Sequence, residues 1–292
     1  MSTAIAAALT QLPPSYAAVL DGARDADLAR QMHARSLAAL PLYLEGGPGT
    51  QWSGPILAML PDTRALDAVL ALPAAIGAVF WSWPGDAQSL RRHLRTINLV
   101  DVPAAAIEPG ASGRETVIFR HWDAAVLAPL LPLLAPAHQA RFLGPATGLV
   151  FDAPDYRGLV SAKRPAALPD APRGLLAFDE AQMAALSDAR VQASRRRVAT
   201  YLREVAPDHT ARLDDTALLA RVVQHEREAQ ALGLVTERDI GRWTFLQVMT
   251  NGALVLSQGV RDSFDPQHSG RSPSEMLEFI FDDVERRLRR GI

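Results

Sequence analysis

Three charged residues have the types and positions that chemistry at the end of a β-sheet would need. Asp21 follows an apolar strand predicted over residues 16–20, and Arg120 and Asp123 lie at the end of another, predicted over residues 116–122. Folds of the α/β class place ligands at such strand ends, so one interpretation is an arginine that faces a ligand. The interpretation we favour is an ion pair, in which Arg120 binds Asp123 or Asp21 and Asp123 also caps the following helix.

No other convergent set of catalytic residue types stands out in the sequence. The seven histidines are scattered, and no pair has the spacing of zinc ligands on a helix. Cysteine is absent, which removes thiolate nucleophiles, disulfides and cysteine-ligated metals. There is no nucleophile elbow and no glycine-rich dinucleotide motif after a strand. These absences argue against a metal site and a bound cofactor, and they leave no predicted catalytic set apart from the strand-end residues.

For the remaining polar and aromatic candidates, a structural role is favoured over a functional one. Tryptophan is more often buried in a core than exposed in a pocket, and a lone histidine among apolar neighbours is more often structural than a base. These residues are Trp81, Trp83, Trp122 and His121. The run from Arg195 to Arg197 spreads too far around a helix to form one stripe, so local ion pairs are favoured over a phosphate site.

Composition indicates a folded protein that does not rely on bulk positive charge. The chain has 292 residues, 48% of them hydrophobic, with a formal net charge of -2 and a pI of about 6.4. These values argue against a nucleic-acid partner. No apolar run approaches the roughly 20 residues that a membrane span needs, and the alanine-rich start lacks the basic region of a signal peptide. We expect a soluble, cytoplasmic protein with no membrane partner.

The elements that must position the charged residues indicate an α/β lobe in the first half. Short apolar strands alternate there with amphipathic helices. Residues 116–122 are interpreted as a buried central strand, because their apolar side chains fall on both faces. Asp123 then caps a leucine-rich helix that Pro129 and Pro132 must kink or shorten. We predict a lobe over residues 1–152 with a mixed, mostly parallel sheet flanked by helices.

The composition changes after residue 152. Residues 153–177 are rich in proline and lack periodicity, so we predict a connector. Residues 178–292 contain repeated helix start signals, which predict an all-helical lobe. These signals are Asp179 with Gln182, Asp214 or Asp215, Thr236 with Asp239, and Ser272 with Glu275.

Short motifs in the first half occur in an order that a known family shares. They are Val19-Leu20-Asp21-Gly22-Ala23, Gly54-Pro55-Ile56-Leu57, Trp81-Ser82-Trp83, Leu90 with His93-Leu94-Arg95, Phe119-Arg120 with Trp122-Asp123, and Arg141-Phe142 with Gly144-Pro145. As an ordered set, they resemble the effector adaptor chaperones of bacterial type VI secretion systems, a family also called Tap or TEC. The chain departs from the family at His121, where an aromatic or aliphatic residue is usual, and at Ala124, where proline is usual.

The resemblance implies a cytoplasmic, non-enzymatic adaptor that binds one cognate toxin effector and helps to load it onto the VgrG spike protein or the PAAR tip protein. The motif residues would then serve structure or docking. They are Asp21, Gly54, Pro55, Trp83, His93, Leu94, Arg95, Phe119, Arg120, Trp122, Asp123, Phe142, Gly144 and Pro145. Because the motifs crowd into the first half, we expect the helical lobe to recognise the cargo. The alternative is an α/β enzyme or ligand-binding protein with its site near Asp21, Arg120 and Asp123.

Overall fold

The computed structural model describes residues 2–45, 47–156, 158–256, 258–265, 267 and 270–290. The chain divides into two compact units, Met1–Arg190 and Val191–Ile292, and each unit is described by itself.

The first unit is built on a six-stranded sheet with the order β2-β3-β1-β4-β7-β8. Its strands are β1 (Tyr16–Asp21), β2 (Ala39–Pro41), β3 (Pro55–Leu60), β4 (Val79–Ser82), β7 (Gly148–Ala153) and β8 (Gly158–Lys163). A second sheet has three strands in the order β6-β5-β9. These are β5 (Leu99–Pro103), β6 (Arg114–Ile118) and β9 (Leu176–Ala177).

The predicted mostly parallel sheet is wrong, because every neighbouring pair in the six-stranded sheet runs antiparallel. The prediction relied on strands that are apolar on both faces, which is typical of parallel sheets. Here both faces of an antiparallel sheet are covered, so the strands carry the same continuous apolar runs. Only the small sheet is mixed, with β5 antiparallel to β6 and parallel to β9.

Three helices of the first unit begin at acidic side-chain caps, whereas Asp27 precedes the helix Leu28–Ala34 without a side-chain cap bond. Side chains of Asp62, Asp86 and Asp123 each accept a hydrogen bond from a backbone N–H in the first turn. The predicted cap at Asp123 is thus confirmed, and Pro129 lies inside a helix of seven residues. The helices are α1 (Ser2–Leu9), α2 (Leu28–Ala34), α3 (Pro48–Trp52), α4 (Thr63–Leu70), α5 (Ala87–Thr96), α6 (Ala124–Leu130) and α7 (Pro136–Leu143).

Side chains alternate between the two faces of the large sheet, and each face has its own core. On β1, Ala17 and Val19 point into a core that includes residues of α5, α6, α7 and the small sheet. Ala18 and Leu20 point into the opposite core, which includes residues of α1, α2 and α4. The sheet is therefore a buried middle layer, and its strand ends are the parts of it that can reach the surface.

The stretch predicted as a buried central strand is an edge strand. Within residues 116–122, only Thr116 to Ile118 belong to β6, whose residues are exposed except for a half-buried Val117. Ile118 is 61% exposed, so its side chain meets solvent and not a second core. Burial begins after the strand, at Phe119 and Trp122.

The segment predicted as a connector contributes strands to both sheets. It contains β8, which pairs with β7 along its whole length, and β9, which pairs with β5. These pairs involve residues on either side of the proline-rich stretch. Leu176 and Phe178, near the end of the segment, are buried in the same core as α5 and α6.

Every regular element described in the second unit is a helix. They are α8 (Glu180–Val205), which begins in the first unit, α9 (Pro207–Thr210), α10 (Asp215–Ala231), α11 (Glu237–Met249), α12 (Ala253–Leu256), α13 (Gln258–Ser263) and α14 (Pro273–Arg290). The predicted start signals are present: Asp214 and Thr236 cap α10 and α11, and Asp179 and Ser272 form reciprocal bonds with Gln182 and Glu275. None of the described helices combines the length and the apolar character that crossing a membrane requires.

Candidate functional site

Asp21, Arg24, Arg120 and Asp123 form an alternating cluster of charges, which we call the aspartate–arginine network. Nη2 of Arg120 lies 2.8 Å from Oδ2 of Asp21 and 3.1 Å from Oδ2 of Asp123. Arg24 lies on the other side, with Nη2 3.5 Å from Oδ1 of Asp123 and Nε 3.8 Å from Oδ2 of Asp21. The predicted ion pair is therefore confirmed, and Arg120 binds both candidate partners.

Local backbone structure holds both carboxylates of the network in place. Asp21 ends β1 and accepts a hydrogen bond from the N–H of Ala23 at 3.1 Å, while Asp123 accepts one from Ala125 at 3.0 Å. Both aspartates are buried, whereas the side chain of Arg120 is half-exposed. Because each carboxylate is already bonded to backbone N–H and guanidinium groups, the network acts as a clamp between β1 and the start of α6.

Two glycines bring the first two sequence motifs together beside this network. The N–H of Gly22 donates to the carbonyl of Gly54 at 2.9 Å, and Asp21 lies opposite Pro55 in the β1–β3 register. A Cβ atom on Gly22 would lie 1.9 Å from the carbonyl oxygen of Trp52. Both motifs therefore serve the close approach of two backbone segments, which only glycine permits here.

Tyr43 joins this region to Trp122. A Cβ atom on Gly54 would lie 2.3 Å from the ring of Tyr43, and that ring meets Trp122 edge-on with 6.1 Å between centroids. Burial raises the pKa of Tyr43, the negative charge of Asp21 adds to the rise, and Arg120 opposes it. The phenol therefore stays protonated at neutral pH and cannot serve there as a base.

A second group of motif residues surrounds two histidines, and we call Trp83, His93, His121, Phe142 and Gly144 the imidazole cluster. The ring of His93 stacks on Trp83 with 5.2 Å between centroids, and its Nε2 lies 2.9 Å from the carbonyl oxygen of Phe142. Gly144 has a φ of 54°, and a Cβ atom there would lie 2.5 Å from the His93 ring. Burial lowers the pKa of His93 and Arg141 lowers it further, so the neutral ring donates to Phe142.

His121 is fully buried, which agrees with its predicted structural role. Its Nε2 lies 2.8 Å from Oδ1 of Asn98, and its ring meets Phe119 and Trp122 edge-on. Burial lowers the pKa of His121 to about 3, and nearby His93 adds to the shift. The imidazole is thus uncharged at neutral pH and is not presented to solvent.

The segment from Phe119 to Asp123 connects the two groups. Phe119 contacts Phe142 of the imidazole cluster, with 6.1 Å between ring centroids, while Trp122 contacts Tyr43 beside the network. Leu94 is buried in the same core. Arg95 and Pro145 are exposed, and the structure does not bring them into either group.

Comparison with known proteins adds one similarity. Residues 16–141 match the family model described as a domain of unknown function, DUF4123. The matched residues are under half of the chain and run from β1 into α7. They include the whole aspartate–arginine network, together with Trp83, His93 and His121. No curated protein and no solved structure matches the chain.

Outside the DUF4123 region, the second unit contains a groove between α8 and α11. It has a volume of about 460 Å³ and is lined by Arg197, Val198, Tyr201, Glu237, Arg238, Gly241 and Arg242. Arg197 binds Glu237 through Nε at 2.8 Å and through Nη2 at 2.5 Å. Arg195 binds Glu226 at 2.6 Å, so local ion pairs along this arginine run are present as predicted.

Sequence reasoning missed this groove, because its residues come from helices about 40 positions apart in the chain. One signal was available in the glycine at position 241, which interrupts an otherwise good helical pattern. Among the described residues, no cluster of three histidine or carboxylate side chains is placed to hold a metal ion. His268 lies outside the described residues.

Proposed function

We propose that this protein is a cytoplasmic adaptor that binds a cognate toxin effector of a type VI secretion system and helps to load it onto the VgrG spike or its PAAR tip. The observation that carries the proposal is the match of residues 16–141 to DUF4123, a domain associated with type VI secretion effector adaptors. The ordered motifs of the first half support the same function.

The contacts that the motif residues make also support a structural role for the first unit. Asp21 and Asp123 are bonded to arginines and to backbone N–H groups, and the imidazoles of half-buried His93 and fully buried His121 are neutral. An adaptor needs adhesive surfaces and no reacting groups, so a unit built on an antiparallel sheet whose polar residues stabilise one another suits it. That the protein has no enzyme activity remains a prediction.

We further propose that the two units divide the work, with the helical unit recognising the effector. The family match ends at residue 141, so the second unit lies outside the part that is shared with other DUF4123 proteins. A surface that must suit one particular effector is expected to lie in such a region. A stable complex would bury about 1,600 Å² in total, and a transient hand-over would bury less.

The direct test is affinity capture from the native bacterium under conditions in which the secretion system is expressed. The full chain carries an N-terminal tag, the tag alone is the control, and captured proteins are identified by mass spectrometry. We expect a VgrG or PAAR protein and one large toxin to be enriched over the control. Enrichment of neither would contradict the proposal and redirect attention to ligands at the aspartate–arginine network.

A truncation then tests the division of work. The deletion should remove residues 191–292 and not begin earlier, because Leu176 and Phe178 are part of the core of the first unit. We expect the shortened protein to keep a cooperative thermal transition and to lose the effector while retaining the spike protein. A folded truncation that captures the effector as well as the full chain does would assign recognition to the first unit.

A further inference from the structure

Gly241 of α11 forms the floor of the groove between α8 and α11, although glycine does not stabilise a helix. Gly241 lies in the interior of α11, where glycine costs up to about 1 kcal/mol relative to alanine. It is a buried residue, yet a Cβ atom placed on it would meet nothing within 4 Å. No neighbouring group excludes a side chain there, so the effect of this glycine is to keep the bottom of the groove open.

The walls of the groove are apolar, and its rim is basic. Val198 and Tyr201 lie along α8, and burial raises the pKa of Tyr201, so its hydroxyl stays a hydrogen-bond donor. Three arginines line the groove against one glutamate, Glu237, which is already bound by Arg197.

The other two arginines of the rim share one carboxylate. Oε1 of Glu278 lies 3.5 Å from Nη2 of Arg238 and 3.5 Å from Nη1 of Arg242. Both distances are long for a charge-assisted hydrogen bond, and Glu278 and Arg238 are more than half-exposed. Positive charge therefore exceeds negative charge around an apolar recess, which favours the binding of a second carboxylate.

We propose that this groove is the docking site for an amphipathic, acidic segment of the effector. An apolar side chain of the segment would fill the recess above Gly241, between Val198 and Tyr201. A carboxylate one helical turn away would bind Arg238 and Arg242, as in other helix-in-groove complexes. This inference rests on the proposed function for the identity of its ligand, whereas the chemistry of the groove can be tested without it.

The test uses the full chain and two fluorescein-labelled synthetic peptides of about 15 residues, both amphipathic helices with a leucine face. One peptide carries glutamates beside the leucines, and the other carries lysines at the same positions. Binding is followed by fluorescence anisotropy at low and at physiological salt. We expect the acidic peptide to bind, the basic peptide not to bind, and the affinity to fall as salt is added.

Two variants and two matched controls locate the binding. Gly241→Leu fills the recess, and Arg238→Glu reverses the charge of the rim. Ala231→Leu introduces a leucine, and Arg227→Glu reverses a charge, at exposed positions of α10. We expect each groove variant to weaken the acidic peptide at least about tenfold, which corresponds to 1.4 kcal/mol, and each control to stay within about twofold. Arg238→Glu should also gain affinity for the basic peptide.

The outcomes separate this inference from the proposed function. Failure of the acidic peptide to bind, or equal binding to the groove variants, overturns the docking site. If free glutarate at the same concentration displaced the acidic peptide fully, the groove would be a site for small carboxylates. The proposal of a protein ligand would then be wrong. If the peptides behave as expected but no effector is captured from cells, the groove stands and the proposed function fails. If Gly241→Leu captures the effector as well as the native chain does, the inference fails and the function stands.

Discussion

The aspartate–arginine network and the imidazole cluster are both built from motif residues, but they keep their polar groups in opposite states. The network holds full charges at the edge of the fold, where two arginines remain partly in solvent and both aspartates are bonded to backbone N–H groups. The cluster holds the fully buried imidazole of His121 and the half-buried imidazole of His93, and desolvation lowers the pKa of both so that they are neutral.

The difference arises from the groups that replace water around the polar side chains of each region. Carboxylates can be buried near a surface when arginines and helix N-termini satisfy them, as around Asp21 and Asp123. An imidazole can instead lose its charge, because its ordinary pKa is close to neutrality. We therefore expect the network to depend on its partners and the cluster to depend on pH and on packing.

The largest effect is expected at the glycine contact beside the network. Gly22→Ala would place a methyl group 1.9 Å from the carbonyl oxygen of Trp52, which forces β1 and β3 apart at their ends. We expect a loss of about 3 kcal/mol in the free energy of unfolding, measured by urea denaturation. Gly49→Ala is the control, since a Cβ atom there meets nothing within 4 Å. Similar stability of the two variants would show that the contact can relax.

Removing charges from the network should give a smaller and unequal loss. Asp123→Ala removes the cap of α6 and a partner of both arginines, so we expect a cost of about 2 kcal/mol. Arg120→Ala removes a half-exposed side chain and should cost at most about 1 kcal/mol. Chemical denaturation of both variants and of the double variant measures the coupling. An Arg120→Ala protein that is fully stable but loses a chemical activity would support the ligand-facing interpretation.

The imidazole cluster should make stability depend on pH below neutrality. The pKa of His121 is about 3 in the folded protein, against 6.5 as its ordinary value, so the unfolded chain binds the proton more readily. Its stabilising contribution is complete above about pH 6.5 and declines as the pH falls towards 3. At pH 5 we expect a loss of about 2 kcal/mol, from 1.36 kcal/mol per pKa unit.

The matched variant for this pH dependence is His121→Phe, because an aromatic or aliphatic residue is usual there in the family that the motifs resemble and phenylalanine keeps a ring in the same place. Its urea midpoint should change less between pH 7.5 and pH 5, with His93 supplying the remaining dependence. An equal pH slope in both proteins would mean that His121 is protonated in the fold or does not titrate in this range.

The sequence predicted local features of both regions well, because they depend on neighbours in the chain. Asp123 and Asp214 cap helices as expected, since each is followed by residues that favour the helix. The ion pair between Arg120 and Asp21 spans 99 positions, yet it could be proposed because both residues were placed at strand ends. Packing then decided that Arg120 binds both aspartates.

Strand direction and surface shape could not be predicted from the sequence, because they depend on residues that are distant in the chain. A strand such as β1, buried on both faces, has one sequence pattern whether its neighbours run parallel or antiparallel, so the sheet was predicted wrongly. Around residue 118, an exposed apolar side chain was indistinguishable from a core residue. The groove of the second unit depends on how α8 and α11 pack, which no single helical pattern reveals.

The smallest change in stability is expected at Arg95, a motif residue that belongs to neither region. The side chain of Arg95 is exposed on α5 and makes no hydrogen bond or ion pair within the part of the chain that the structure describes. Arg95→Glu should therefore change the free energy of unfolding by less than about 0.5 kcal/mol. If the motif is retained for docking, the same variant should capture less spike protein from cells while capturing the effector normally. Arg92→Glu, which changes another exposed arginine of the same helix outside the motif, is the control. If both variants captured equal amounts of spike protein, Arg95 would have no part in docking. The motif residues would then serve to build the network and the imidazole cluster.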